Sequence, residues 1–401
     1  MKIKIQKGRA TGVITAPPSK SVAHRLLIAA ALAEGESIIE NVAFSEDVLA
    51  TLDCLAALGA RAEVEGSSVR MVGIGGAVKG AGELRCRESG STLRFLIPVA
   101  LLGGKGVFSG AERLMARGIG VYREMLGDVG VSFTEEPDRI TAEGTLVAGR
   151  YTMRGDVSSQ FVSGMLFALP LLAGDSVLEI LPPFESREYV DITVDVLARF
   201  GVKVEKINEF TYHIRGGQRY LPSHLAVEGD WSNAAFLLGL NTLGGEVSVE
   251  GLNANSLQGD RICVSLFERL ENTDEVIDLS GCPDLAPVLF AVAAAKHGAR
   301  FVGTRRLAIK ESDRAAAMAS ELSKMGARVD VEENAVTVYG GALHAPTEAI
   351  DGHNDHRIVM SMSLLATLVG GEIEGAEAIK KSYPDFFEAL SSLGIEVQYE
   401  A

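Results

Sequence analysis

The stretch Leu58-Gly59-Ala60-Arg61-Ala62-Glu63-Val64 decides the fold class, because closely similar stretches recur along the chain. It ends a helical pattern in glycine, which favours the left-handed end of a helix, and then alternates like a strand. Further copies surround Gly130, Gly201, Gly326 and Gly394. The first three glycines are spaced 71 residues apart, and such regular spacing indicates repeats. We therefore predict six repeats of about 70 residues, with the fourth and fifth the least regular.

Each predicted repeat also contains an apolar helix that begins with polar, helix-capping residues. These helix starts are Ser19-Lys20-Ser21, Ser89-Gly90-Ser91, Ser158-Ser159-Gln160, Asp230-Trp231-Ser232, Asp284-Leu285-Ala286 and Asn354-Asp355-His356. Helices such as 162–172 and 287–295 are apolar nearly all round, so we expect them to be buried. A second helix, such as 314–325, is amphipathic and is expected to cover the outside. Each repeat is thus predicted to wrap strands around one buried and one exposed helix.

The length of 401 residues and the six repeats favour two domains of three repeats each. The division falls near residues 222–229. The opening segment, residues 2–11, precedes the first repeat and is expected to pair with the C-terminal half. We predict an N-terminal domain of residues 14–227 and a C-terminal domain of residues 1–13 and 228–401. Two connections between the domains would form a hinge.

Composition excludes several classes of function. A formal charge of −15 argues against a broad nucleic-acid or anionic-membrane surface. The longest apolar runs, such as 285–295, are about half as long as a membrane span. The first residues lack the apolar core of a secretion signal, and the four cysteines have no metal or redox spacing. We therefore expect a cytoplasmic protein that binds no nucleic acid or membrane.

The starts of the buried helices in the first half are predicted to bind anions, because helix N-termini carry unpaired N–H groups and positive charge. Lys20, Ser21 and Arg25 lie on the first turns of one helix, although a solvated basic turn is the alternative. Gly90 would let a ligand approach the backbone, or it is only a loop glycine. Arg113 and Arg117 are four residues apart, as on a solvated face. Three further polar residues, which by default are a helix cap or surface residues, are Ser158, Ser159 and Ser186.

The second half adds a denser cluster of charges. Lys310 and Arg314 are predicted to share a helix face beside Glu311, and a carboxylate flanked by two cations stays ionised and can exchange a proton. Asp284 is a second candidate carboxylate, with helix capping as its alternative role. The remaining cations of this half are Arg357 and Lys381. The histidines at 353 and 356 lack further metal ligands, so we expect no metal.

These cations are distributed over both halves, which favours a pair of ligands with phosphate or carboxylate groups. The chain contains no glycine-rich nucleotide loop of standard spacing, and residues 109–120 contain no cysteine that could act as a nucleophile. The residues alone therefore predict metal-free group transfer between small anionic substrates in an interdomain cleft, without naming the substrates.

Five motifs in order carry a resemblance to a known family. They are Pro17-Pro18-Ser19-Lys20-Ser21, Gly155-Asp156 with Ser158-Ser159-Gln160, Lys310-Glu311-Ser312-Asp313-Arg314, Asn354-Asp355-His356-Arg357 and Lys381-Ser382-Tyr383-Pro384-Asp385. The chain resembles the 5-enolpyruvylshikimate-3-phosphate synthase family over essentially its whole length. The resemblance implies a two-domain inside-out α/β barrel in which each domain has three βαβαββ repeats. It also implies that the buried helices point their N-termini at the interdomain cleft.

The resemblance further implies a transfer of the enolpyruvyl group of phosphoenolpyruvate to the 5-hydroxyl of shikimate 3-phosphate, in the shikimate pathway and without a cofactor. The implied phosphoenolpyruvate ligands are Lys20, Gly90, Arg113, Gln160, Arg314, Arg357 and Lys381. The implied shikimate 3-phosphate ligands are Ser21, Arg25, Ser158, Ser159, Gln160, Ser186, Asp284 and Lys310. Lys20, Asp284 and Glu311 are the implied catalytic residues, with Glu311 serving the C3 proton and Asp284 the 5-hydroxyl. A monomer is also expected, with glyphosate as a candidate inhibitor.

Four positions depart from the family pattern: Glu88, Phe95, Gly118 and Arg306. They affect fine ligand contacts and glyphosate sensitivity rather than the reaction. Three alternatives remain: a UDP-N-acetylglucosamine enolpyruvyl transferase, an RNA 3′-phosphate cyclising enzyme and a non-catalytic anion-binding relative. The 310–314 motif and the absence of cysteine from residues 109–120 argue against the first. The charge argues against the second, and the presence of Lys20 and Glu311 against the third.

Overall fold

The computed structural model describes residues 1–78, 82–272 and 276–400, except for the side chain of residue 272. The chain forms two compact units. The continuous unit is Lys20–Glu228, and the split unit combines Met1–Ser19 with Gly229–Ala401. The domain boundaries given above stay a prediction, because packing within each unit does not reveal which residues move together.

The helices of the described residues are α1 (Lys20–Leu32), α2 (Glu46–Ala57), α3 (Gly90–Leu101), α4 (Glu112–Ala116), α5 (Gly120–Gly127), α6 (Ser159–Ala168), α7 (Arg187–Arg199), α8 (Trp231–Thr242), α9 (Cys263–Asn272), α10 (Ala286–Ala295), α11 (Arg314–Lys324), α12 (His356–Val369) and α13 (Phe386–Ser392). Short 3₁₀ turns occupy Leu169–Leu171, Gly259–Ile262, Pro283–Leu285, Arg305–Ile309 and Ala376–Lys381.

The strands are β1 (Lys2–Ile5), β2 (Thr11–Thr15), β3 (Glu36–Glu40), β4 (Arg61–Glu65), β5 (Ser68–Val72), β6 (Glu83–Arg85), β7 (Lys105–Ser109), β8 (Ser132–Glu136), β9 (Arg139–Glu143), β10 (Arg150–Arg154), β11 (Ser176–Leu181), β12 (Val204–Asn208), β13 (Thr211–Ile214), β14 (His224–Ala226), β15 (Glu246–Glu250), β16 (Val276–Asp278), β17 (Gly298–Val302), β18 (Val329–Val331), β19 (Ala335–Tyr339), β20 (Ile350–Asp351), β21 (Gly371–Glu374) and β22 (Val397–Glu400).

The continuous unit contains three four-stranded sheets of identical topology, ordered β6-β7-β9-β8, β10-β11-β13-β12 and β14-β3-β5-β4. In each sheet a parallel pair is followed by an antiparallel hairpin; for example, β6 pairs parallel with β7, which pairs antiparallel with β9. The parallel pair requires a helical crossover, which α3 supplies between β6 and β7. The predicted βαβαββ repeat is therefore confirmed in the continuous unit.

Helices with apolar residues on every side lie inside the units, as predicted. In α6, the residues from Phe161 to Ala168 are all buried, and residues 286–294 of α10 are buried as well. By contrast α11 buries one face, including Ala317 and Met318, and exposes the other. A fully apolar helix gains free energy only when it is surrounded, so the sheets lie outside and these helices inside.

The split unit carries two four-stranded sheets, β16-β17-β19-β18 and β20-β21-β1-β22, and a two-stranded sheet of β15 and β2. The N-terminal strand β1 lies between β21 and β22, with Ile3 opposite both Ile373 and Tyr399. The predicted pairing of the opening segment with the C-terminal half is therefore confirmed. The fourth repeat lacks a hairpin among the described residues and is irregular as predicted, whereas the fifth has a complete sheet and differs only in its spacing.

The five repeated glycines end their helices in the left-handed conformation, with φ from +80° to +107° at Gly59, Gly130, Gly201, Gly326 and Gly394. A Cβ atom is unfavourable at such φ values, which explains why glycine recurs at this point of the repeat. Within the described residues, no helix is both long and apolar enough to cross a membrane. All four cysteines are buried free thiols.

Candidate active site

The start of α1 is packed rather than solvated. Lys20 Nζ lies 3.0 Å from Asp47 Oδ2 on α2, and the side chains of both residues are largely buried. His24 and Arg25 are 1% and 2% exposed. The alternative of a solvated basic turn is therefore wrong, because α2 and α7 cover this part of the helix.

The Arg25 guanidinium is fixed by neighbouring oxygens. Its Nε donates to Thr193 Oγ1 at 2.7 Å, Nη2 donates to the Tyr189 carbonyl at 2.9 Å, and Nη1 donates to the Ser21 carbonyl at 2.7 Å. The guanidinium also lies over the Phe95 ring, 4.9 Å from its centroid. Burial lowers the pKa of Arg25 to about 10, so the side chain stays positive at neutral pH. Arg25 therefore places a fixed positive charge on the second turn of α1.

Gly90 is the first residue of α3, and the Ser89 hydroxyl caps this helix by accepting from Thr92 N at 3.2 Å. A Cβ added to Gly90 would lie 3.1 Å from both terminal nitrogens of Arg117. The alternative of a loop glycine is therefore wrong, since Gly90 lies within a helix and leaves space for a guanidinium. Arg113 is exposed on the short helix α4.

The side chain of Gln160 is oriented by two partners on α3. Arg94 Nη1 donates to Gln160 Oε1 at 2.7 Å, and Gln160 Nε2 donates to Ser91 Oγ at 2.9 Å. Burial, followed by the charge of Arg117, lowers the pKa of Arg94 to about 9. The second N–H of the Gln160 amide therefore points in a defined direction. Sequence reasoning placed no weight on Arg94 as a partner of Gln160, because the two residues are far apart in the chain.

Three serines of the continuous unit differ in their environment. Ser158 caps α6 by accepting from Gln160 N at 3.3 Å, as expected for a helix cap, and Ser159 is buried. Ser186 precedes α7 with φ of +54° and is 4% exposed. The default expectation of a surface residue is wrong for Ser186. A serine held in the left-handed region is strained, and such strain is common at functional sites.

Asp284 is the centre of the cation cluster in the split unit. Its Oδ1 lies 3.2 Å from Lys310 Nζ and 2.9 Å from Arg314 Nη1, and its Oδ2 lies 3.2 Å from Arg357 Nη2. Arg357 Nη1 also donates to the Asp284 carbonyl at 3.0 Å. Asp284 stands in the 3₁₀ turn before α10, a helix that begins without a side-chain cap. The capping role considered for Asp284 is therefore wrong.

Lys310 and Arg314 do not share a helix face, contrary to the prediction. Asp313 caps α11 by accepting from Ala316 N at 3.1 Å, so the helix begins at Arg314 and Lys310 precedes it. The two cations meet instead at the carboxylate of Asp284. The prediction relied on the four-residue spacing of Lys310 and Arg314, which places two residues on one face only if both lie in the helix. Because Asp313 is the N-cap, Lys310 lies outside the helix and the spacing does not apply.

A buried ion pair orients Arg314. Its Nε donates to Asp355 Oδ2 at 2.9 Å, and the Ser312 hydroxyl donates to the same oxygen at 3.0 Å. Asp355 Oδ1 accepts from Arg357 N at 3.0 Å, which caps α12. Burial raises the pKa of Asp355, but the charges of Arg314 and His356 and the hydrogen bond from Arg314 together lower it below its ordinary value. Burial likewise lowers the pKa of Arg314, whereas Asp355 and Asp284 raise it well above its ordinary value. Sequence reasoning missed Ser312 and Asp355 as partners of Arg314.

Glu311, Asp355 and His356 offer ligand atoms within 4.8 Å of one another. His356 Nδ1 lies 2.9 Å from Glu311 Oε2, but both Asp355 oxygens already accept hydrogen bonds, including those from Arg314. A metal ion here would face the guanidinium charge, so this donor set suits Arg314 better than a metal. His353, the other histidine considered as a metal ligand, contacts a different carboxylate, that of Glu321.

Lys381 lies at the end of the last 3₁₀ turn, and its side chain is 8% exposed. Its Nζ donates to the Asn354 carbonyl at 2.6 Å. The loop that precedes α12 is therefore connected to the 3₁₀ turn that precedes α13. Within the split unit, the structure thus brings together the predicted residues Asp284, Lys310, Arg314 and Arg357, and it places Glu311 and Lys381 against the residues that begin α12.

The architecture and the cation-rich helix starts define the class of protein: the fold is that of an enolpyruvyl transferase. The solved enolpyruvyl transferase NikO from Streptomyces tendae aligns with a TM-score of 0.79 over 100% of this chain and 98% of that chain, at 17% identity. A family model described as EPSP synthase (3-phosphoshikimate 1-carboxyvinyltransferase) matches residues 5–390. The chain belongs to this family.

Similar proteins agree with the family model. A 3-phosphoshikimate 1-carboxyvinyltransferase from Clostridium kluyveri is 42% identical over 98% of each chain, and one from Clostridium perfringens is 38% identical over 98% of each. The solved EPSP synthase of Acinetobacter baumannii has a TM-score of 0.79 at 25% identity, covering 99% of this chain and 100% of that one. The predicted two-domain fold and the predicted shikimate-pathway enzyme acting on shikimate 3-phosphate are confirmed. The family also implies phosphoenolpyruvate as the second substrate.

Proposed function

We propose that the enolpyruvyl transfer takes place on the residues described above, with Asp284 and its cations as the central element. The observation that carries the proposal is that one carboxylate, Asp284, accepts contacts from Lys310, Arg314 and Arg357. A carboxylate surrounded by cations stays ionised and can accept a proton when a hydroxyl group is placed beside it. The same cations can bind anionic substrates on their remaining N–H groups.

Phosphoenolpyruvate carries a phosphate and a carboxylate, and both suit the planar guanidinium. In the split unit its ligands would be Arg314, Arg357 and Lys381. The ligands from the continuous unit would be Lys20, Gly90, Arg113 and Gln160. Gln160 would donate its second amide N–H, since Arg94 and Ser91 occupy the rest of the amide. Gly90 would admit the ligand close to the start of α3.

Shikimate 3-phosphate combines a phosphate, a carboxylate and hydroxyl groups. Its phosphate and ring would contact Ser158, Ser159 and Gln160 at the start of α6. The other proposed contacts are Ser21, Arg25, Ser186, Asp284 and Lys310. This assignment requires residues of both units to bind the substrates at the same time, which is also the reason for proposing closure of a hinge.

The proposed chemistry proceeds by addition and elimination. Asp284 accepts the proton of the 5-hydroxyl as its oxygen bonds to C2 of phosphoenolpyruvate, while the Glu311–His356 pair delivers a proton to C3. In the resulting tetrahedral intermediate, C3 then returns a proton to Glu311 as the bond between C2 and the phosphate oxygen breaks. Asp284 passes the proton that it took from the 5-hydroxyl to the departing phosphate, which leaves as hydrogen phosphate, and Asp284 is ionised again. Lys20 and the arginines stabilise the charge of the departing phosphate. We also propose a cytoplasmic monomer for which glyphosate is an inhibitor.

The test is phosphate release from phosphoenolpyruvate with shikimate 3-phosphate or UDP-N-acetylglucosamine as the acceptor. We expect turnover with the shikimate acceptor alone and a loss of about 100-fold or more in kcat for Glu311→Gln. Glu332→Gln is the matched control, because this exposed glutamate pairs with the surface residue Arg300. Turnover with the nucleotide sugar, or full activity of Glu311→Gln, would contradict the proposal.

A further inference from the structure

The loop of residues 351–354 begins at the last residue of β20 and leads to the start of α12, and two successive residues of this loop have positive φ. His353 has φ of +49° and Asn354 has φ of +50°. Neither residue is glycine, so the left-handed conformation costs free energy at each of them. Such a loop conformation persists only where the surroundings hold it. One carboxylate that contacts this loop belongs to a residue that has no proposed contact with either substrate.

That carboxylate is Glu321 on α11, and its side chain is 1% exposed. Glu321 Oε2 accepts from Asp351 N at 2.9 Å, and Glu321 Oε1 lies 2.9 Å from His353 Nε2. Lys324 Nζ lies 2.7 Å from Glu321 Oε2. Burial raises the pKa of Glu321, but the hydrogen bonds from His353, Lys324 and Asp351 N and the charge of Lys324 together lower it below its ordinary value. The ionised Glu321 therefore contacts the loop at two residues, Asp351 and His353.

The other side of the same loop meets proposed substrate ligands. The Asn354 carbonyl accepts from Lys381 Nζ at 2.6 Å, and Asp355, the next residue, accepts from Arg314 Nε at 2.9 Å. Gly352 fixes the loop against the rest of the unit, since its N donates to the Glu374 carbonyl and an added Cβ would overlap Val359. A change in the backbone of residues 351–354 would thus move the groups that orient both cations.

We propose that Glu321 is a positioning residue for phosphoenolpyruvate: it holds residues 351–354 in the conformation in which Asn354 and Asp355 orient Lys381 and Arg314. Glu321 touches no substrate in this arrangement and acts through the loop. The inference rests on the proposed assignment of Lys381 and Arg314 to phosphoenolpyruvate. It predicts that loss of the Glu321 carboxylate weakens binding of this substrate more than binding of shikimate 3-phosphate, most of whose proposed ligands are in the continuous unit.

The test compares Glu321→Gln with Glu348→Gln. Both variants remove one negative charge from the surroundings of Lys324, which lies 2.7 Å from Glu321 and 3.9 Å from Glu348, but Glu348 is 71% exposed. The amide introduced by Glu321→Gln has a single acceptor oxygen for the two loop donors, so one hydrogen bond is lost. We expect the KM for phosphoenolpyruvate to rise about tenfold in Glu321→Gln, equivalent to one charge-assisted hydrogen bond. The KM for shikimate 3-phosphate should change less than about threefold, and Glu348→Gln should match the wild type.

Amide hydrogen exchange of residues 351–356 gives a second readout that does not depend on activity. We expect exchange there to accelerate about tenfold in Glu321→Gln while exchange in α10 is unchanged. Equal shifts of both KM values, a lower melting temperature with unchanged KM values, or unchanged exchange in the loop would each overturn the inference. If the wild type itself shows no turnover, the proposed function fails, and the exchange result alone decides whether Glu321 holds the loop.

A second variant covers the case in which Glu321→Gln does not fold. His353→Asn removes the imidazole contact with Glu321 but keeps a residue that tolerates the left-handed conformation. Because the bond from Asp351 N to Glu321 remains, we expect a smaller rise in the KM for phosphoenolpyruvate, about threefold. No change in either the KM or the loop exchange for this variant would count against the inference.

Discussion

The Nε of Arg314 lies 2.9 Å from Oδ2 of Asp355, and both side chains are almost completely buried. Arg314 also reaches Asp284, whose carboxylate is partly exposed at 23%. One guanidinium therefore joins a carboxylate at the proposed reaction centre to one inside the protein. Asp355, the buried carboxylate, sets the orientation of the guanidinium. In the proposed mechanism, the positive charge of Arg314 interacts both with Asp284 and with the substrates.

Replacing Arg314 with methionine should destabilise the split unit by about 3 to 5 kcal/mol at pH 7, because it leaves the buried charge of Asp355 without its main partner. The chain has one tryptophan, Trp231, which lies in the same unit. Its fluorescence during denaturation with guanidinium chloride therefore reports on the unfolding of this unit. Adding Asp355→Asn should recover a large part of the loss. A loss below about 1 kcal/mol, or no recovery in the double variant, would contradict this account.

The repeats and the buried helices could be predicted because their signals are local. A left-handed glycine end, a helix with no polar side and an alternating strand each depend on a few neighbouring residues. Even the pairing of β1 followed from its place before the first repeat. The fourth repeat lacks a hairpin within the described part of the chain, and no local sequence pattern predicts this. A short extended segment becomes a strand only when it pairs with another strand, so its local sequence does not distinguish it from a connection.

The contacts of the site could be predicted less well, because they join distant parts of the chain. The five motifs and the helix starts identified Arg314 and Asp284, but their shared contact crosses 30 residues of sequence. The motifs contain Ser312 and Asp355 but do not show that the two contact each other beside Arg314. Glu321 lies outside the motifs, and a glutamate inside a helix is an ordinary residue at that position. The importance of these three residues arises from burial, which only the fold determines.

His24 should make the continuous unit less stable in mild acid. Burial, followed by the charges of Lys20 and Arg25, lowers its pKa well below the ordinary 6.5. The unfolded chain therefore binds a proton that the folded chain does not, and stability is lost as the pH falls below about 6.5, by up to about 1.4 kcal/mol per pH unit. Calorimetry of the wild type and of His24→Asn between pH 5 and 7 measures this difference. A difference in stability that does not change with pH would contradict the prediction.

His353 should show the opposite dependence. The hydrogen bond to Glu321 raises its pKa, aided by Asp351, although burial and Lys324 oppose this. The folded chain therefore binds the proton more tightly than the unfolded chain. The contribution of protonated His353 to the stability of the folded chain is complete below about pH 6.5. It is lost as the pH rises through the pKa of His353 in the folded chain. The stability advantage of the wild type over His353→Gln, followed by Trp231 fluorescence, should thus shrink above pH 6.5. An advantage that grows with pH would show that the sign is wrong.

Two helical glycines should differ in their tolerance of alanine. A Cβ at Gly164 in α6 would overlap Tyr122 Oη and lie 2.5 Å from the Arg94 carbonyl, and Tyr122 is fixed by its hydrogen bond to that carbonyl. Gly164→Ala should therefore cost about 3 kcal/mol. At Gly90 the nearest atoms belong to the flexible end of Arg117, so Gly90→Ala should cost less than about 1 kcal/mol. Equal losses in thermal unfolding would contradict this distinction.

Gln160→Glu should separate stability from substrate binding in the continuous unit. The new carboxylate would face Arg94, a 3% exposed guanidinium that donates to Gln160 Oε1 at 2.7 Å, so the variant should be at least as stable as the wild type. It would lose the amide N–H and add a negative charge where phosphoenolpyruvate is proposed to bind, which should raise the KM for this substrate about 100-fold. Ser91→Ala removes only the hydroxyl that accepts from Gln160 Nε2, so it should raise the KM for phosphoenolpyruvate less than about tenfold. Steady-state kinetics with each substrate varied in turn, together with melting temperatures, measures both effects. An unchanged KM for phosphoenolpyruvate in Gln160→Glu would remove Gln160 from the proposed site.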